Sequence, residues 1–348
     1  MQIFVSFSCL LLSISCSWAT AVEPPFPQSI VEMINERSVL PSLINTTLLL
    51  ASIPPATLDA FLATAQNTNN TLPNPIATTF FNLTTGIINE TLTVLPLDYA
   101  TARRIIPSQY GILTKSIHAV LPGFPADQYP LVLSTQIDHG LSTYGFATPD
   151  FTSVHFRFPF IDLLGDGYST FSYEPGIYVS NDPIAIAGTL AYAEEAIVAT
   201  FNPPLDPYAA VPGSRNGELY FDVLFKGNPA LNATFRPQWG IYGEVGDYPL
   251  DFYTNLTNQP TFGCANSSCL LTCDNQIRFY HTNLTTGKYA PQGVSASISI
   301  APSPNSGLSF LPNGVEFVGA KGVKVAQAFL ELNYLDCKDL KGNTYLGV

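Results

Sequence analysis

Charged residues make up only 11% of this chain, less than half the ~25% usual for a soluble domain. Positive charge is the scarcer sign: 14 Lys and Arg stand against 26 Asp and Glu, a net charge of -12. With no basic face, nucleic acid and anionic membrane surfaces are excluded as partners. Histidine occurs four times, too few for a pH switch built on His clusters. No apolar run reaches the ~20 residues that span a bilayer. The best candidate past the first residues, 40–62, is broken by Asn45, Pro54, Pro55 and Asp59. No G-x-S-x-G elbow, H-E-x-x-H pair, P-loop or dinucleotide fingerprint occurs, so the chemistries those motifs carry have no support.

What is present points to export. The first residues, MQIFVSFSCLLLSISCSWATA, hold an apolar stretch of about a dozen residues and end in Ala19-Thr20-Ala21, the small-x-small pattern of a cleaved signal peptide. Cleavage is expected after Ala21, and the mature chain is expected to be secreted and free of a membrane span. Asn45, Asn69, Asn82, Asn89, Asn232, Asn255, Asn266 and Asn283 each open an N-x-S/T triplet without proline, and each is a candidate glycosylation site. Four cysteines remain after cleavage: Cys264, Cys269, Cys273 and Cys337. An even number in a secreted chain reads as two disulfides, with three pairings open. Three of the four crowd together, so one of them must reach Cys337. The C-x4-C-x3-C spacing is not a usual zinc spacing, and His281 is the only imidazole nearby. No metal and no cofactor are expected.

Texture divides the mature chain. Residues 22–92 are rich in Asn, Thr, Pro and Leu and carry four of the sequons. They read as a glycosylated extension with short helices at 28–37 and 57–66, the second capped by Thr57. From 93 to 348 the pattern is that of one β domain. Tyr99 to Ile106 reads as a short helix, with Asp98 as its N-cap and Pro107 as its stop. Strand-like runs follow at 131–137, 154–161, 168–179, 185–192, 196–201, 218–225, 277–281, 294–300 and 315–318, punctuated by Gly, Pro, Asn and Asp. Val154-His155-Phe156-Arg157-Phe158 alternates as a half-buried strand does. The spacing suggests an all-β barrel or sandwich. A last helix is expected over 323–332.

Residues 154–195 hold the richest polar cluster. Arg157, in a strand flanked by aromatics, could clamp a ligand carboxylate, or pair with an acid on a solvent face. Asp162 and Asp166 suit turn caps better than an acid/base pair. Glu194 and Glu195 are adjacent, so a strand would point them to opposite faces and only one could look inward.

Two segments carry a family resemblance. Asp182 to Tyr192, DPIAIAGTLAY, resembles the acetoacetate decarboxylase segment D-x-P-A-I-x-G-R-E-x-x-G-[FY]-P-K. Asp98 to Pro107, DYATARRIIP, is similar to that family's early helix followed by proline. The resemblance covers roughly residues 97–225 and rests on order and spacing. It implies a mainly antiparallel β-barrel or cone with a few short helices, enclosing a small-molecule pocket. The family's imine-forming lysine follows the G-[FY]-P element. Here that stretch reads Tyr192-Ala193-Glu194-Glu195-Ala196-Ile197-Val198, and no Lys occurs between Lys115 and Lys226. The ligand implied is a small oxo-acid or polyketide-like compound, bound without turnover or transformed by lyase-like acid/base chemistry. Arg157, Glu174 and Glu194 would be the catalytic groups, with His155, Tyr168, Tyr173 and Tyr192 around the ligand. The other reading is a non-catalytic extracellular structural or surface glycoprotein. Its cavity would be filled by side chains, and those polar groups would face outward.

Overall fold

The computed structural model describes residues 53–63, 65–66, 72–143, 145–238, 248–264, 272–280, 284 and 290–342. Eleven strands and five helices frame the site. The first half runs α1 (Pro55–Leu62), β1 (Thr84–Asp98), α2 (Tyr99–Ile105), α3 (Thr114–Val120), β2 (Gln128–Thr143), β3 (Phe151–Asp162), β4 (Phe171–Tyr173), β5 (Gly176–Val179) and α4 (Pro183–Ala191). The second half runs β6 (Glu195–Val198), β7 (Leu219–Phe225), β8 (Asn228–Pro237), α5 (Leu250–Thr257), β9 (Thr272–Phe279), β10 (Gln292–Ile300) and β11 (Val315–Asp336).

One large sheet contains all of these strands. Its main path runs β1–β2–β3–β4, crosses the short strand Thr261–Phe262, and continues β9–β11–β10–β8–β7. β1 also pairs with β11, from Thr84 opposite Glu331 to Val94 opposite Lys321. That pairing closes the path into an uneven ring. Pairings are antiparallel except β5 with β6 and β4 with Thr261–Phe262.

Alternation along the strands decides what the ring contains. Val154, Phe156 and Phe158 join Leu131, Leu133, Tyr129 and Phe262 in the main apolar core. Ile87, Ile277, Ala328 and Leu330 pack with Leu72, Ile76 and Phe80 in a second cluster. The other parity of the same strands is polar: Ser134, Gln136 and Asp138 on β2, Ser153, His155 and Arg157 on β3, Asp274, Gln276 and Arg278 on β9, and Gln327 and Glu331 on β11. The alternation in β3 therefore separates core from polar interior. It does not separate core from solvent, because the strand is buried or half-buried throughout.

Several expectations need correction. The sheet begins at Thr84, so residues 84–92, read as the end of the extension, are the first half of β1. Ala185 to Ala191 is helical and Tyr192 caps the helix, where a strand was expected over 185–192: Asp182 accepts hydrogen bonds from the Ile184 and Ala185 N–H groups at 2.8 and 3.2 Å, and Pro183 fills the first helical turn. Residues 323–332 are strand where a helix was expected. Ala, Gln and Leu favour helix, but pairing with β1, β9 and β10 overrides that propensity. Thr57 lies inside α1, which starts at Pro55 with no side-chain cap. The predicted helix at 99–106 is observed, with Asp98 accepting from the Thr101 N–H at 2.7 Å.

Cys273 and Cys337 form a disulfide that ties β9 to the turn after β11. Cys264 is also disulfide-bonded, and Cys269 lies outside the described residues, as do Asn45, Asn69, Asn266, Asn283 and the helix expected at 28–37. Among the other sequons, Asn82 and Asn232 are exposed and Asn255 is half-buried. Asn89 is 5% exposed, on β1 between Ile137 and Ala326. That position cannot carry a glycan, which corrects one expected site.

Candidate functional site

A cavity of about 170 Å³ opens at the polar end of the ring. That is below the ~300–1,000 Å³ of drug-sized pockets, so it suits a small metabolite. His155 and Arg157 from β3, Glu174 from the turn after β4, and Tyr192 and Glu194 from the turn after α4 all line it. These five were singled out from sequence, and the fold brings them together facing inward. The outward orientation required by the structural-glycoprotein reading is not what these residues adopt.

Two sequence candidates lie elsewhere. Tyr168 is 47% exposed on the Gly165–Tyr168 turn, with Lys341 over its ring at 5.9 Å. Tyr173 points into the core, its ring 5.5 Å from that of Phe262 and 6.2 Å from that of Phe158. On the three-residue strand β4, Tyr173 and Phe171 take one parity, leaving the next residue, Glu174, to face the cavity. Asp162 and Asp166 cap the intervening turn, accepting from the Gly167 and Ser169 N–H groups at 3.3 and 2.9 Å.

Glu174 anchors one wall. Its Oε1 lies 2.9 Å from His155 Nδ1, and its Oε2 accepts from Arg157 Nε at 3.4 Å. Burial pushes this carboxyl up, but the charges of His155 and Arg157 outweigh it and hold Glu174 below the usual carboxylate range. Arg157 is 3% exposed, and its Nη1 is buried with no hydrogen-bond partner among the described residues. A buried donor left unpaired costs about 1–3 kcal/mol, so the position is set for an acceptor supplied from the cavity.

Glu194 faces the same space from a strained turn. Ala193, just before it, has φ 58°, in the left-handed region that non-glycine residues rarely occupy. The turn is clamped by the Gly263 N–H, which donates to the Tyr192 carbonyl at 2.9 Å. Any Cβ at position 263 would lie 2.3 Å from the Ala193 carbonyl oxygen, so this approach requires glycine. Glu194 is 5% exposed and makes no side-chain hydrogen bond among the described residues. Burial, then the charges of Glu174 and Asp274, push its carboxyl well above the usual range. This environment favours the protonated form of Glu194 over the carboxylate. Tyr192 stacks on Tyr334 with ring centroids 5.4 Å apart and donates to Asn333 Oδ1 at 2.5 Å.

Sequence reasoning missed half of the polar wall. Asp138, Asp274, Gln276, Glu331 and Asn333 also line the cavity. Burial raises Asp274 to about 7, with the Glu174 charge adding to it against Arg157 and Arg278. Burial and the charges of Asp274 and Asp138 raise Glu331 well above its usual range. The available signal was polar spacing at i, i+2 in otherwise apolar strands: Gln136/Asp138 and Asp274/Gln276. Glu331 and Asn333 were hidden by the helix reading of 323–332. The opposite wall is apolar, built by Leu141, Phe151, Ile177, Ile184 and Phe329.

The wall rests on a sealed polar network. Gln136 donates to Asp138 Oδ2 at 2.8 Å and accepts from Arg278 Nη2 at 3.3 Å. Arg278 Nη1 donates to Glu90 Oε2 at 2.8 Å. Glu90 also accepts from Ser134, Gln327 and Tyr280. Burial pushes the Glu90 carboxyl up, but Arg278 and these bonds outweigh it and keep it low.

No protein-family model matches the chain, and no curated protein matches its sequence. Among solved structures the chain is similar to the enduracididine biosynthesis enzyme MppR complexed with pyruvate: TM-score 0.46, 11% identity, 77% of this chain and 93% of that one covered. It is similar to an acetoacetate decarboxylase-like enzyme from Sphingomonas wittichii RW1: TM-score 0.44, 8% identity, 78% and 100% covered. It is also similar to the acetoacetate decarboxylase of Legionella pneumophila, with a TM-score of 0.43, 11% identity, and 81% and 95% of the two chains covered.

Proposed function

We propose that this protein is a secreted glycoprotein whose cavity binds a small oxo-acid through Arg157 and Glu194, without an imine. The observation that carries the reading is Arg157 Nη1, buried and without a hydrogen-bond partner among the described residues, lining one small cavity together with the buried Glu194. Arg157 Nη1 offers a donor to a carboxylate or carbonyl, and Glu194, its carboxyl pushed well above the usual range by burial and neighbouring charge, offers a second donor in its protonated form. An oxo-acid supplies acceptors for both, and its carbon skeleton meets the Leu141, Phe151 and Ile184 wall. The sequence has no Lys between Lys115 and Lys226, and no Lys is among the residues lining the cavity.

The chemistry open to such a site is general acid catalysis. Glu194 hydrogen-bonded to a carbonyl oxygen stabilises negative charge developing there, as a carboxylic acid kept neutral by an apolar site does. For a β-oxo acid, that favours loss of carbon dioxide through an enol. Glu174, held ionised by His155 and Arg157, fixes the guanidinium and does not exchange protons with the ligand.

Calorimetric titration of the mature protein with acetoacetate, or with its stable analogue levulinate, tests the reading. Saturable binding is expected, weakened about tenfold or more by Arg157→Gln, in line with the ~1.5–3 kcal/mol of a charged hydrogen bond. Unaltered binding in that variant would remove Arg157 from the account.

A further inference from the structure

Ser153, His155 and Arg157 occupy alternate positions of β3 and share its polar parity. Phe151 before Ser153, and His155 and Arg157 after it, line the cavity. Ser153 lies between these lining residues, and it pairs across the sheet with Gln136 of β2, which lines the cavity as well. Directly paired residues share a face, so the Ser153 side chain belongs to the cavity wall, where it is buried.

The oxo-acid reading gives Ser153 and His155 no task, yet both are held in a bonded chain. Ser153 Oγ lies 3.0 Å from His155 Nε2. The other ring nitrogen, His155 Nδ1, lies 2.9 Å from Glu174 Oε1. Asp138 Oδ2 is the more distant alternative for the Ser153 hydroxyl, at 3.5 Å. Against burial, the charges of His155 and Arg157 favour the ionised form of Glu174, and an ionised carboxylate only accepts. Nδ1 therefore carries the hydrogen of a neutral imidazole, and Nε2 accepts from the Ser153 hydroxyl. A serine bonded to an imidazole whose far nitrogen is held by a buried carboxylate is the arrangement that activates a nucleophile. Arg157 Nη1, buried and without a partner among the described residues, offers from the same strand face a donor for an oxyanion.

We propose that Ser153, His155 and Glu174 form a nucleophilic triad that hydrolyses small carboxylic esters in this cavity. The substrate class rests on the oxo-acid reading: an ester of a small oxo-acid, whose hydrolysis leaves the free acid beside Arg157. A substrate reaches the Ser153 hydroxyl between Phe151 and His155, both half-buried. Ser153 Oγ adds to the ester carbonyl carbon while its proton passes to His155 Nε2, and the carbonyl oxygen takes the electron pair. Collapse of that oxyanion breaks the bond to the alkoxide, which leaves as an alcohol with the proton from Nε2. Water then adds to the acyl-serine and gives a proton to Nε2. The second collapse frees the acid and returns that proton to Ser153 Oγ. Glu174 touches no reacting atom and orients His155.

Ethyl acetoacetate and methanesulfonyl fluoride test this on the mature protein. Ethanol release, followed by proton NMR, reports ester hydrolysis alone. It is expected to fall about a hundredfold or more in Ser153→Ala and in His155→Gln, with melting curves showing that each variant is folded. The sulfonyl fluoride loses fluoride to an activated serine. It is expected to add its sulfonyl mass to the peptide carrying Ser153, a result that needs no variant. Ethanol release at the buffer rate, an unchanged rate in folded Ser153→Ala, or absence of the sulfonyl mass from Ser153 would overturn the triad. Calorimetry with acetoacetate on the same protein tests the oxo-acid reading separately. Binding without hydrolysis overturns the triad alone, and hydrolysis without binding keeps the triad and removes the oxo-acid as its product.

Discussion

Arg278 and Glu90 form an ion pair with Nη1 2.8 Å from Oε2 and both side chains fully buried. The pair lies beneath the cavity floor and, through Gln136, holds Asp138 at its wall. Two charges in a dry interior cost several kcal/mol each to desolvate, so the pair persists because each ion satisfies the other. Glu90→Gln is expected to cost about 3–5 kcal/mol, because it leaves the guanidinium uncompensated. Replacing both, Glu90→Leu with Arg278→Met, should recover much of that loss. Chemical denaturation of the three forms measures it. A double variant as unstable as the single one would contradict the pairing argument.

Stability should depend on pH in a direction opposite to that of most acidic proteins. Asp274 is raised to about 7, and Glu194 and Glu331 are raised well above their usual range, by burial first and neighbouring charge second. Unfolded carboxyls titrate near ~4. Between ~4 and ~7 the folded protein holds more protons than the unfolded chain, so stability falls as pH rises through that window. Glu90 and Glu174 are lowered and act with the opposite sign, their contribution being lost as pH falls below ~4. The melting temperature of the ligand-free protein is expected to peak near pH 4–5 and to decline toward pH 8. In a His139→Gln background, which removes the imidazole that burial lowers to about 4 and that acts with the opposite sign over this window, a melting temperature that climbs from pH 5 to 7 would contradict the raised carboxyls.

The proposed export makes a separate, chemical prediction. Secreted protein should begin at Val22, after removal of the segment ending Ala19-Thr20-Ala21. Enzymatic deglycosylation that converts glycosylated Asn to Asp should label Asn82 and Asn232, which are exposed, and leave Asn89, which is buried in β1. Peptide mass spectrometry reads both. A glycan on Asn89 would be incompatible with β1 pairing on both edges.

The sequence showed the site's skeleton more clearly than its setting. Arg157, His155, Glu174, Tyr192 and Glu194 stood out because polar residues of these types are costly among so many aromatics unless they are used. The strand assignments around Val154 and Val294 followed from alternation and β-branched residues. The misassignments of 84–92 and 323–332 share one cause. β1 (TTGIINETLTVLPLD) and β11 over 323–330 are buried on both faces, one face being a polar interior. Their polar positions look solvated, and their apolar ones look irregular. Tyr168 and Tyr173 were misplaced because an aromatic in a polar neighbourhood does not reveal which way its strand parity turns it. The helix at 183–191 was legible after all, in the Asp182-Pro183 cap.

The central expectation for this cavity is reversible binding without an imine. Borohydride treatment of the mature protein saturated with acetoacetate, followed by intact-mass measurement, tests it directly. The mass is expected to be unchanged while calorimetry under the same conditions shows a bound ligand. A covalent adduct on a lysine would contradict the assignment of the site to Arg157 and Glu194.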